Sequence, residues 1–336
     1  MNETRLPCTY VLPLRSERAL SSGELTGYLA WVAARAETIV VDGSPTAVFE
    51  EHARAWGAFV RHVAPAAGLA TAMGKVGGVL TGVRMASHEC LIIADDDVRY
   101  DAAALSRVVA ELEDADIVRP QNFFDPLPWH AAWDTGRTLL NRISGGDWPG
   151  TLGVRRSVIE ATGGYDGRAM FENLELVRTV RAAGGREAVP LDLYVARRPS
   201  SSSHFWSQRI RQAYDELARP LRLGTQLALL PTAVAIGALG GAGWLLATVA
   251  CVVLGAESGR RRAGGRRVFP TATSFYAPLW LAERAVCSWL ALGMRAYQGG
   301  VTYRGRVLSH AATPMRTLRA RHADVRLARE SPRRSA

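Results

Sequence analysis

The first part of the chain alternates short apolar runs with amphipathic stretches. Runs with the length of buried strands lie at residues 10–14, 38–42, 59–63, 89–94 and 116–120. Helical spacing is found between them, at residues 24–36, 75–86 and 102–112. Strands that alternate with helices predict a parallel sheet with both faces covered. The ligands of such sheets bind beyond the carboxyl ends of the strands.

The alternation weakens after residue 125. Short helices are predicted at residues 156–162 and 172–183, and the second is stopped by Gly184-Gly185. One more strand is predicted at residues 191–195. The pattern therefore predicts one α/β domain in roughly the first two thirds of the chain.

Residues 225–256 carry no charge and are rich in Leu, Ala and Val. About 20 apolar residues span a bilayer, so this stretch predicts a transmembrane helix, and a buried core helix is the alternative. Residues 271–298 are aromatic but also charged, which is typical of a helix that crosses the bilayer or lies in its interface. A single crossing by residues 225–256 is favoured over a re-entrant pair of half-helices broken near Gly240-Gly241.

Arginines flank the uncharged stretch on both sides. Arg209, Arg211, Arg219 and Arg222 precede it. By the positive-inside rule they place the preceding domain in the cytoplasm. The first residues contain no long apolar run, which agrees with a cytoplasmic start. We therefore expect the protein at the cell membrane, with its first domain in the cytoplasm.

The chain has 336 residues, 48% of them hydrophobic, and a net charge of +10. The stretch from Arg316 to Ala336 is strongly basic, which predicts a solvated tail or contact with an anionic membrane surface. No nucleic-acid partner is expected, because charge without a recognised reading module is weak support for one. The four cysteines have no metal-type spacing and are expected to be free thiols.

Asp95-Asp96-Asp97 directly follows the apolar run at residues 89–94. In an extended stretch, Asp95 and Asp97 point to the same side. Two such carboxylates can bind Mg²⁺ or Mn²⁺ and share the ion with phosphate oxygens, and Asp96 lies beside them. A solvated acidic turn or a helix cap is the alternative.

Two further segments carry candidate ligand contacts. Asp42 ends the run at residues 38–42 and can accept hydrogen bonds from a ribose or a base, or can be an ordinary turn residue. Lys75, the only lysine of the chain, follows Gly74 at the start of a predicted helix. This segment can approach a diphosphate, and an exposed Lys at a helix start is the alternative.

Taken in their order along the chain, these segments resemble the family 2 glycosyltransferases, an inverting group with the GT-A fold. Similar to motifs of that family are Tyr10-Val11-Leu12-Pro13, Val41-Asp42-Gly43-Ser44, Gly74-Lys75, Asp95-Asp96-Asp97-Val98, and the acceptor-side stretch that contains Gly153 and Gly163-Gly164-Tyr165-Asp166. The resemblance covers roughly residues 8–220. It implies that Asp42 binds uridine and that Lys75, Asp95 and Asp96 also bind the nucleotide-sugar. It further implies that Asp95 and Asp97 bind the metal and that Gly153 lies on the acceptor side.

The resemblance also implies the architecture and the activity. The expected fold class is α/β, with a Rossmann-like GT-A nucleotide-sugar-binding domain at residues 1–222. Membrane-associated helices at 223–300 and a basic tail at 301–336 would follow it. The layout looks most like the ceramide-glucosyltransferase-like and bacterial lipid-glycosylating branch. A hexose would then pass from a nucleotide-sugar, UDP-linked in the first instance, to a lipid or lipid-linked acceptor.

The general base departs from the family pattern. The family has an Asp within Glu-Asp-x-x-Leu, and Asn173 occupies that position here. An amide cannot accept a proton in this role, so the neighbouring Glu172 is the preferred base. Glu175 shares its helical face at i, i+3, and both Asn173 and Glu175 remain acceptor-side candidates. Without the resemblance these acids would be read as surface charges at a helix start.

A second departure lies between residues 208 and 214. The family's lipid-directed members carry Gln/Arg-x-x-Arg-Trp, which Gln208 and Arg211 match, whereas Gln212 replaces the Trp. The resemblance implies that Arg211 neutralises the leaving diphosphate and that an aromatic such as Tyr214 stacks on the acceptor. A basic amphipathic helix at the membrane surface is the alternative.

Two other functions compete with lipid glycosylation. A polysaccharide-type synthase would need several membrane spans, and one span is clear in the sequence. A catalytically impaired, membrane-bound nucleotide-sugar-binding protein is favoured by Asn173, because loss of the base is a direct way to lose turnover.

Overall fold

The structure is a computed structural model that describes residues 5–303 and 306–330. By packing, the chain divides into two compact units. The first unit comprises Met1–Pro120, Pro149–Val195 and Thr313–Ala336. The second unit comprises Gln121–Trp148 and Ala196–Ala312. The functional boundaries predicted at residues 222 and 300 stay predictions.

The strands are β1 (Cys8–Leu14), β2 (Glu37–Asp42), β3 (Arg61–Val63), β4 (Cys90–Ala94), β5 (Val98–Arg99), β6 (Ile117–Val118), β7 (Gln121–Phe124), β8 (Thr151–Arg155), β9 (Glu187–Ala188), β10 (Tyr194–Arg197), β11 (Val301–Tyr303) and β12 (Arg306–Leu308). The α-helices are α1 (Glu24–Ala33), α2 (Thr46–Trp56), α3 (Gly74–Met85), α4 (Ala102–Asp114), α5 (Trp129–Arg142), α6 (Arg156–Ala161), α7 (Glu172–Ala182), α8 (Ser202–Ser207), α9 (Arg209–Tyr214), α10 (Pro220–Arg261), α11 (Ala277–Gln298), α12 (Met315–Arg321) and α13 (Ala323–Glu330).

Among the described residues, the main sheet of the first unit has seven strands in the order β3-β2-β1-β4-β8-β6-β9. β1 is parallel to both neighbours, with Val11 opposite Ile39 on β2 and Thr9 opposite Leu91 on β4. β8 runs antiparallel to β4 and to β6. The predicted parallel sheet is confirmed for β3, β2, β1 and β4, and β8 makes the complete sheet mixed.

The central strands are buried on both faces. Tyr10 on β1 and Ile92 on β4 lie on one face, and Val11 on β1 and Ile39 on β2 lie on the other. Each of these four side chains is at most 1% exposed. A strand covered on both faces reads as a continuous apolar run, which is why the sequence predicted these strands well. Because β2 and β4 are both parallel to β1, their carboxyl ends and the acids that follow lie at the same edge of the sheet.

Helix α3 packs closely against this sheet because it contains glycines. A Cβ at Gly78 would lie 3.1 Å from the Cβ of Pro13, and one at Gly82 would overlap the side chain of Val11. The close approach places Lys75, at the N-terminal end of α3, near the carboxyl edge of the strands.

In the second unit, helices α5, α9, α10 and α11 pack on one another. Two stretches, Pro220–Leu239 and Gly241–Arg267, are long and apolar enough to cross a membrane, and most of their side chains are exposed. This is weak evidence for a membrane by itself, so the transmembrane assignment stays a prediction.

Helix α5 was missed by the sequence pattern. Its buried face carries polar side chains, including His130, Asp134, Thr138 and Arg142. These residues interrupt the apolar stripe from which an amphipathic helix is recognised. Several of these side chains have partners inside the second unit, for example Thr138, whose Oγ1 donates to Asp147 Oδ2 at 2.7 Å.

The C-terminal segment differs from the predicted solvated tail. Helices α12 and α13 pack against the rest of the first unit, with Leu318 and His322 buried. Arg329 lies 2.5 Å from the carboxylate of Asp116. Leu318 and His322 are spaced i, i+4, so one side of the arginine-rich segment packs while the other remains exposed. Residues 304–305 and 331–336 of the predicted tail lie outside the described residues.

We expect Gly82→Ala to destabilise the protein by about 1–3 kcal/mol, because the added methyl group overlaps Val11. Gly27→Ala on α1 is the matched control, since a Cβ there meets nothing within 4 Å. The control should be neutral or stabilising by up to about 1 kcal/mol. Thermal unfolding of the two variants in detergent measures the difference, and equal midpoints would contradict the packing described here.

Candidate active site

The side chain of Lys75 joins two carboxylates that are distant in sequence. Its Nζ lies 2.5 Å from Oδ1 of Asp95 and 2.7 Å from Oε1 of Glu172. Lys75 is the second residue of α3, Asp95 follows β4, and Glu172 opens α7. Three residues predicted separately to bind donor, metal and acceptor proton are therefore in contact at one edge of the sheet.

The charge of Lys75 is secure in this position. Burial alone would lower the pKa of its ammonium, but the carboxylates of Asp95 and Glu172 outweigh burial and raise the pKa above its usual range. An ammonium is a compact charge that fits between two carboxylates, whereas a guanidinium is a wider planar fork. This contact gives a physical reason for the one lysine in a chain whose other basic residues are arginines.

The acidic segment after β4 is a turn and not an extension of the strand. The backbone N–H of Val98 donates to the carbonyl of Asp95 at 3.1 Å and closes the turn. The N–H of Asp95 donates to the carbonyl of Gly150 at 2.9 Å and fixes the start of the turn beside β8. The premise that alternation along a strand sets these side chains is wrong, because β4 ends at Ala94.

The turn still offers the ligand chemistry of a divalent cation. Asp95 and Asp97 are partly buried and Asp96 is exposed. Carboxylate oxygens are the ligands that Mg²⁺ and Mn²⁺ take in proteins, so the donor set fits such an ion. Which of the carboxylates would bind it stays a prediction.

Helix α7 carries the candidate base and its two neighbours. Asn173 Nδ2 donates to the carbonyl of Pro149 at 3.0 Å. Glu175 is fully buried, and its Oε2 accepts the backbone N–H of Thr313 at 2.6 Å. Glu172 is thus the acid of this helix start that contacts the other candidate residues. Glu175 holds the C-terminal segment, and its acceptor-side role remains a prediction.

Asp42 is enclosed at the end of β2 and is 1% exposed. Its Oδ2 lies 2.7 Å from Nδ1 of His52 and 3.0 Å from Nε2 of His62, and its Oδ1 accepts the N–H of Ser44 at 2.9 Å. A direct contact with a ribose or a base stays a prediction that requires these groups to move.

Asp42, His52 and His62 have ligand atoms within 4.8 Å of one another, as a metal site would require. The tautomer of His52 argues against a metal. The backbone N–H of Leu20 donates to Nε2 of His52 at 2.9 Å, so Nε2 carries the lone pair and Nδ1 carries the proton. Nδ1 therefore donates to Asp42 and is not available as a ligand. We interpret the cluster as a hydrogen-bonded support for Asp42.

The two histidines were not predicted from the sequence. The sequence contains one signal, which is the i, i+4 spacing of His52 and Trp56. In the structure both side chains lie on α2 and are fully buried. Their rings stack with centroids 4.2 Å apart. A buried histidine on a helix face needs a polar partner, and the acid-tipped strand β2 supplies it.

Gly153 lies on β8, where it is paired with Ile92 and Val118. A Cβ at this position would come within 2.5 Å of the side chain of Val108 on α4. Close packing of α4 on the sheet therefore accounts for the glycine, and its role on the acceptor side stays a prediction.

The remaining predicted site residues belong to the second unit. Arg211 on α9 donates to Oε1 of Gln208, which directly precedes that helix, at 3.0 Å. Tyr214 is fully buried, and its hydroxyl donates to the carbonyl of Ser309 at 3.0 Å. In this conformation Tyr214 presents no exposed ring face for stacking. The roles predicted for all three residues remain untested.

No protein-family model matches this chain, and no curated protein matches it in sequence. Among solved structures it is similar to the mannosyltransferase PcManGT from Pyrobaculum calidifontis in complex with GDP-Man and Mn²⁺. The identity is 19% and the TM-score 0.54, over 85% of this chain and 87% of that one. The chain has a GT-A-like fold. This confirms a mixed α/β fold around a mainly parallel sheet, and at this identity it establishes the fold alone.

Two other structures match less closely. TarS of S. aureus is 14% identical with a TM-score of 0.39, over 64% of this chain and 40% of that chain. Glucosyl-3-phosphoglycerate synthase of M. tuberculosis is 18% identical with a TM-score of 0.40, over 59% of this chain and 74% of that chain. These two likenesses support no conclusion about this chain.

The enclosure of Asp42 predicts a specific dependence of stability on pH. Burial alone would raise the pKa of Asp42, but hydrogen bonds from His62, Ser44 and His52 hold it well below its usual range. A depressed folded-state pKa stabilises the protein above the unfolded pKa of about 3.9, and this stabilisation is lost as the pH falls below that value. Asp42→Asn should therefore be less stable at pH 7 and should lose less stability on acidification.

Urea unfolding in detergent between about pH 3 and pH 7 measures this difference. Asp114→Asn is the control, because the side chain of Asp114 is 95% exposed. The control should follow the wild-type pH profile. Parallel profiles for Asp42→Asn and the wild type would mean that Asp42 has no depressed pKa in the folded state.

Proposed function

We propose that this chain is a metal-dependent, inverting glycosyltransferase that moves a hexose from a nucleotide-sugar to a lipid or lipid-linked acceptor. The observation that carries the proposal is the contact of Lys75 with Asp95 and Glu172 at the carboxyl edge of a GT-A-like sheet. The similar mannosyltransferase was solved with GDP-Man and Mn²⁺, which supports this donor class and a divalent cation. The ceramide-glucosyltransferase-like and lipid-glycosylating branch is proposed from the sequence resemblance.

Glu172 is the proposed general base. It would accept the proton of an acceptor hydroxyl while that oxygen attacks the anomeric carbon of the donor sugar. The bond from the anomeric carbon to the diphosphate oxygen breaks, its electron pair leaves with the nucleoside diphosphate, and the configuration inverts. Oε1 of Glu172 now binds Lys75 at 2.7 Å, so the hydroxyl would be accepted by Oε2, or by Oε1 after that contact opens.

Lys75 is the proposed diphosphate ligand. Its ammonium is already charged and lies at the edge where the leaving group would form, so a shift from Glu172 to a phosphate oxygen would free the base. Mg²⁺ or Mn²⁺, when bound by Asp95 and Asp97, would supply further positive charge to the leaving diphosphate. Release of the base would then be coupled to arrival of the donor.

The acceptor is proposed to be a membrane lipid or lipid-linked sugar on the cytoplasmic side. The exposed apolar side chains of α10 and the basic residues that flank it support attachment to a membrane. Nucleotide-sugar and lipid would then meet at the membrane surface.

A second function is favoured by one specific observation. Asn173 replaces the Asp expected from the resemblance, and its side chain is engaged by the carbonyl of Pro149 at 3.0 Å. If Lys75 holds both oxygens of Glu172 away from the acceptor hydroxyl when the donor binds, the site has no available base. The chain would then bind a nucleotide-sugar at the membrane without transferring the sugar.

We expect Glu172→Gln to lower turnover by about 10²–10⁴-fold while donor binding persists, because the amide keeps the shape and loses the basicity. Turnover is measured as nucleoside diphosphate released from UDP-, GDP- and dTDP-sugars with Mn²⁺ or Mg²⁺ and membrane lipid. Donor binding is measured as a thermal shift. Glu160→Gln, an exposed acid on α6, is the control and should keep full turnover.

Unchanged turnover in Glu172→Gln would remove Glu172 from the role of base. A wild-type protein that shows a donor-dependent thermal shift but no turnover with any donor would support the second function.

A further inference from the structure

Helix α10 reverses direction at a single glycine. Within α10, Gly241 has φ 71° and ψ −174°, which are not helical angles and which a glycine adopts readily. Across this break, a Cβ at Gly237 would lie 3.5 Å from Cδ1 of Leu245. Residues eight positions apart in a straight helix are separated by about 12 Å along the axis. The contact therefore requires the two arms of α10 to fold back on each other.

The outer ends of the two arms are anchored on the same pair of packed helices. Near the start of α10, Gln226 Oε1 accepts from Ser288 Oγ of α11 at 3.0 Å. Near its end, the carbonyl of Gly259 accepts from Nε of Arg142 of α5 at 3.2 Å. In a straight helix, residues 226 and 259 would be about 50 Å apart. Because α5 and α11 pack on each other within the second unit, both ends of α10 lie beside one body.

The surface of this hairpin is largely apolar. Residues 225–256 carry no charge. Large apolar side chains are exposed along both arms and at the tip, at Leu230, Val234, Leu239, Trp244, Leu246, Val249 and Leu254. A helix that is apolar all round is stable in a protein core or in lipid, and most of this surface is not covered by protein. The matching environment is the hydrocarbon of a bilayer.

The ends and the tip differ in charge. Arg219 and Arg222 precede the first arm, and the exposed Arg261 and Arg262 lie at the end of the second. Both ends can therefore bind anionic headgroups of one leaflet. The tip has no charged side chain to meet headgroups on the far side. The single crossing expected from the sequence would separate the two ends by a bilayer, which is not compatible with their anchors on α5 and α11.

We propose that residues 225–256 form a re-entrant helical hairpin, which enters and leaves the bilayer on the same side with its tip near Gly241 in the hydrocarbon. Each uncharged arm has 15 or 16 residues and is about 22–24 Å long, shorter than the hydrocarbon core of about 30 Å. Within α10 only Gly241 leaves helical geometry, so few backbone groups at the tip lose their partners. The inference rests on the membrane attachment in the proposed function and is independent of the sugar chemistry.

Cysteine labelling of the full chain tests this topology. The parent is Cys251→Ser, which removes an exposed native thiol from the second arm. Single cysteines are added at Leu221, Leu239 and Ser258, all of which have exposed side chains. Each protein is treated with a membrane-impermeant maleimide in intact spheroplasts, in opened membranes and in detergent. The parent without an added cysteine gives the background.

The hairpin predicts one shared pattern for Leu221→Cys and Ser258→Cys, with protection in intact spheroplasts and modification in opened membranes. Leu239→Cys should be protected in intact spheroplasts and in opened membranes, and should be modified in detergent. If both flanking cysteines are instead modified in intact spheroplasts, the hairpin stands and the cytoplasmic placement in the proposed function fails.

Three results would overturn the hairpin. Opposite patterns at Leu221→Cys and Ser258→Cys would establish a single crossing. Modification of Leu239→Cys in intact spheroplasts, with both flanks protected, would mean that the tip reaches the far side. Modification of Leu239→Cys in opened membranes without detergent, or extraction of the parent by alkaline carbonate, would mean that the arms lie outside the bilayer.

Discussion

The candidate site depends on the contacts that the ammonium of Lys75 makes with two carboxylates. The ammonium lies between the carboxylates of Asp95 and Glu172, at 2.5 Å and 2.7 Å, and so connects α3, the turn after β4 and the start of α7. Without a cation the two carboxylates would repel each other across a partly buried edge of the sheet. Close packing of α3 on β1, made possible by Gly78 and Gly82, brings Lys75 to this place. The packing of the core and the chemistry of the site are thus linked through one helix.

Much of the carboxyl edge of the main sheet could be predicted from the sequence, because strands that are buried on both faces have continuous apolar sequences. Asp42 and Asp95 follow such runs, and the parallel register of β2, β1 and β4 places both acids at one edge. Local sequence patterns do not predict contacts between residues that are far apart in the sequence. The contact between Lys75 and Glu172 spans 97 residues, and no periodicity encodes it. The enclosure of Asp42 by His52 and His62 could not be predicted for the same reason, because the three residues lie on different helices and strands.

The second unit illustrates the same limit on a larger scale. The uncharged stretch at residues 225–256 was visible in the sequence, but its return at Gly241 depends on one backbone conformation and on anchors to α5 and α11. Helix α5 was itself hidden, because its buried face is polar. Likewise, the arginine-rich C-terminus suggested a solvated tail, whereas the buried Leu318 and the pairing of Arg329 with Asp116 fold it onto the first unit. In each case a tertiary contact decides between structures that the local sequence allows.

The proposed function requires that the acidic turn beside Lys75 binds a nucleotide-sugar together with a divalent cation. The most direct measurement is the thermal unfolding midpoint of the wild type and of Asp97→Ala with UDP- and GDP-sugars, each with Mn²⁺ or with a chelator. A ligand that binds only the native state raises the midpoint. We expect the midpoint to rise with at least one donor in the wild type when Mn²⁺ is present. We expect no such rise with the chelator or in Asp97→Ala. An equal rise with the chelator, or in Asp97→Ala with Mn²⁺, would contradict this requirement.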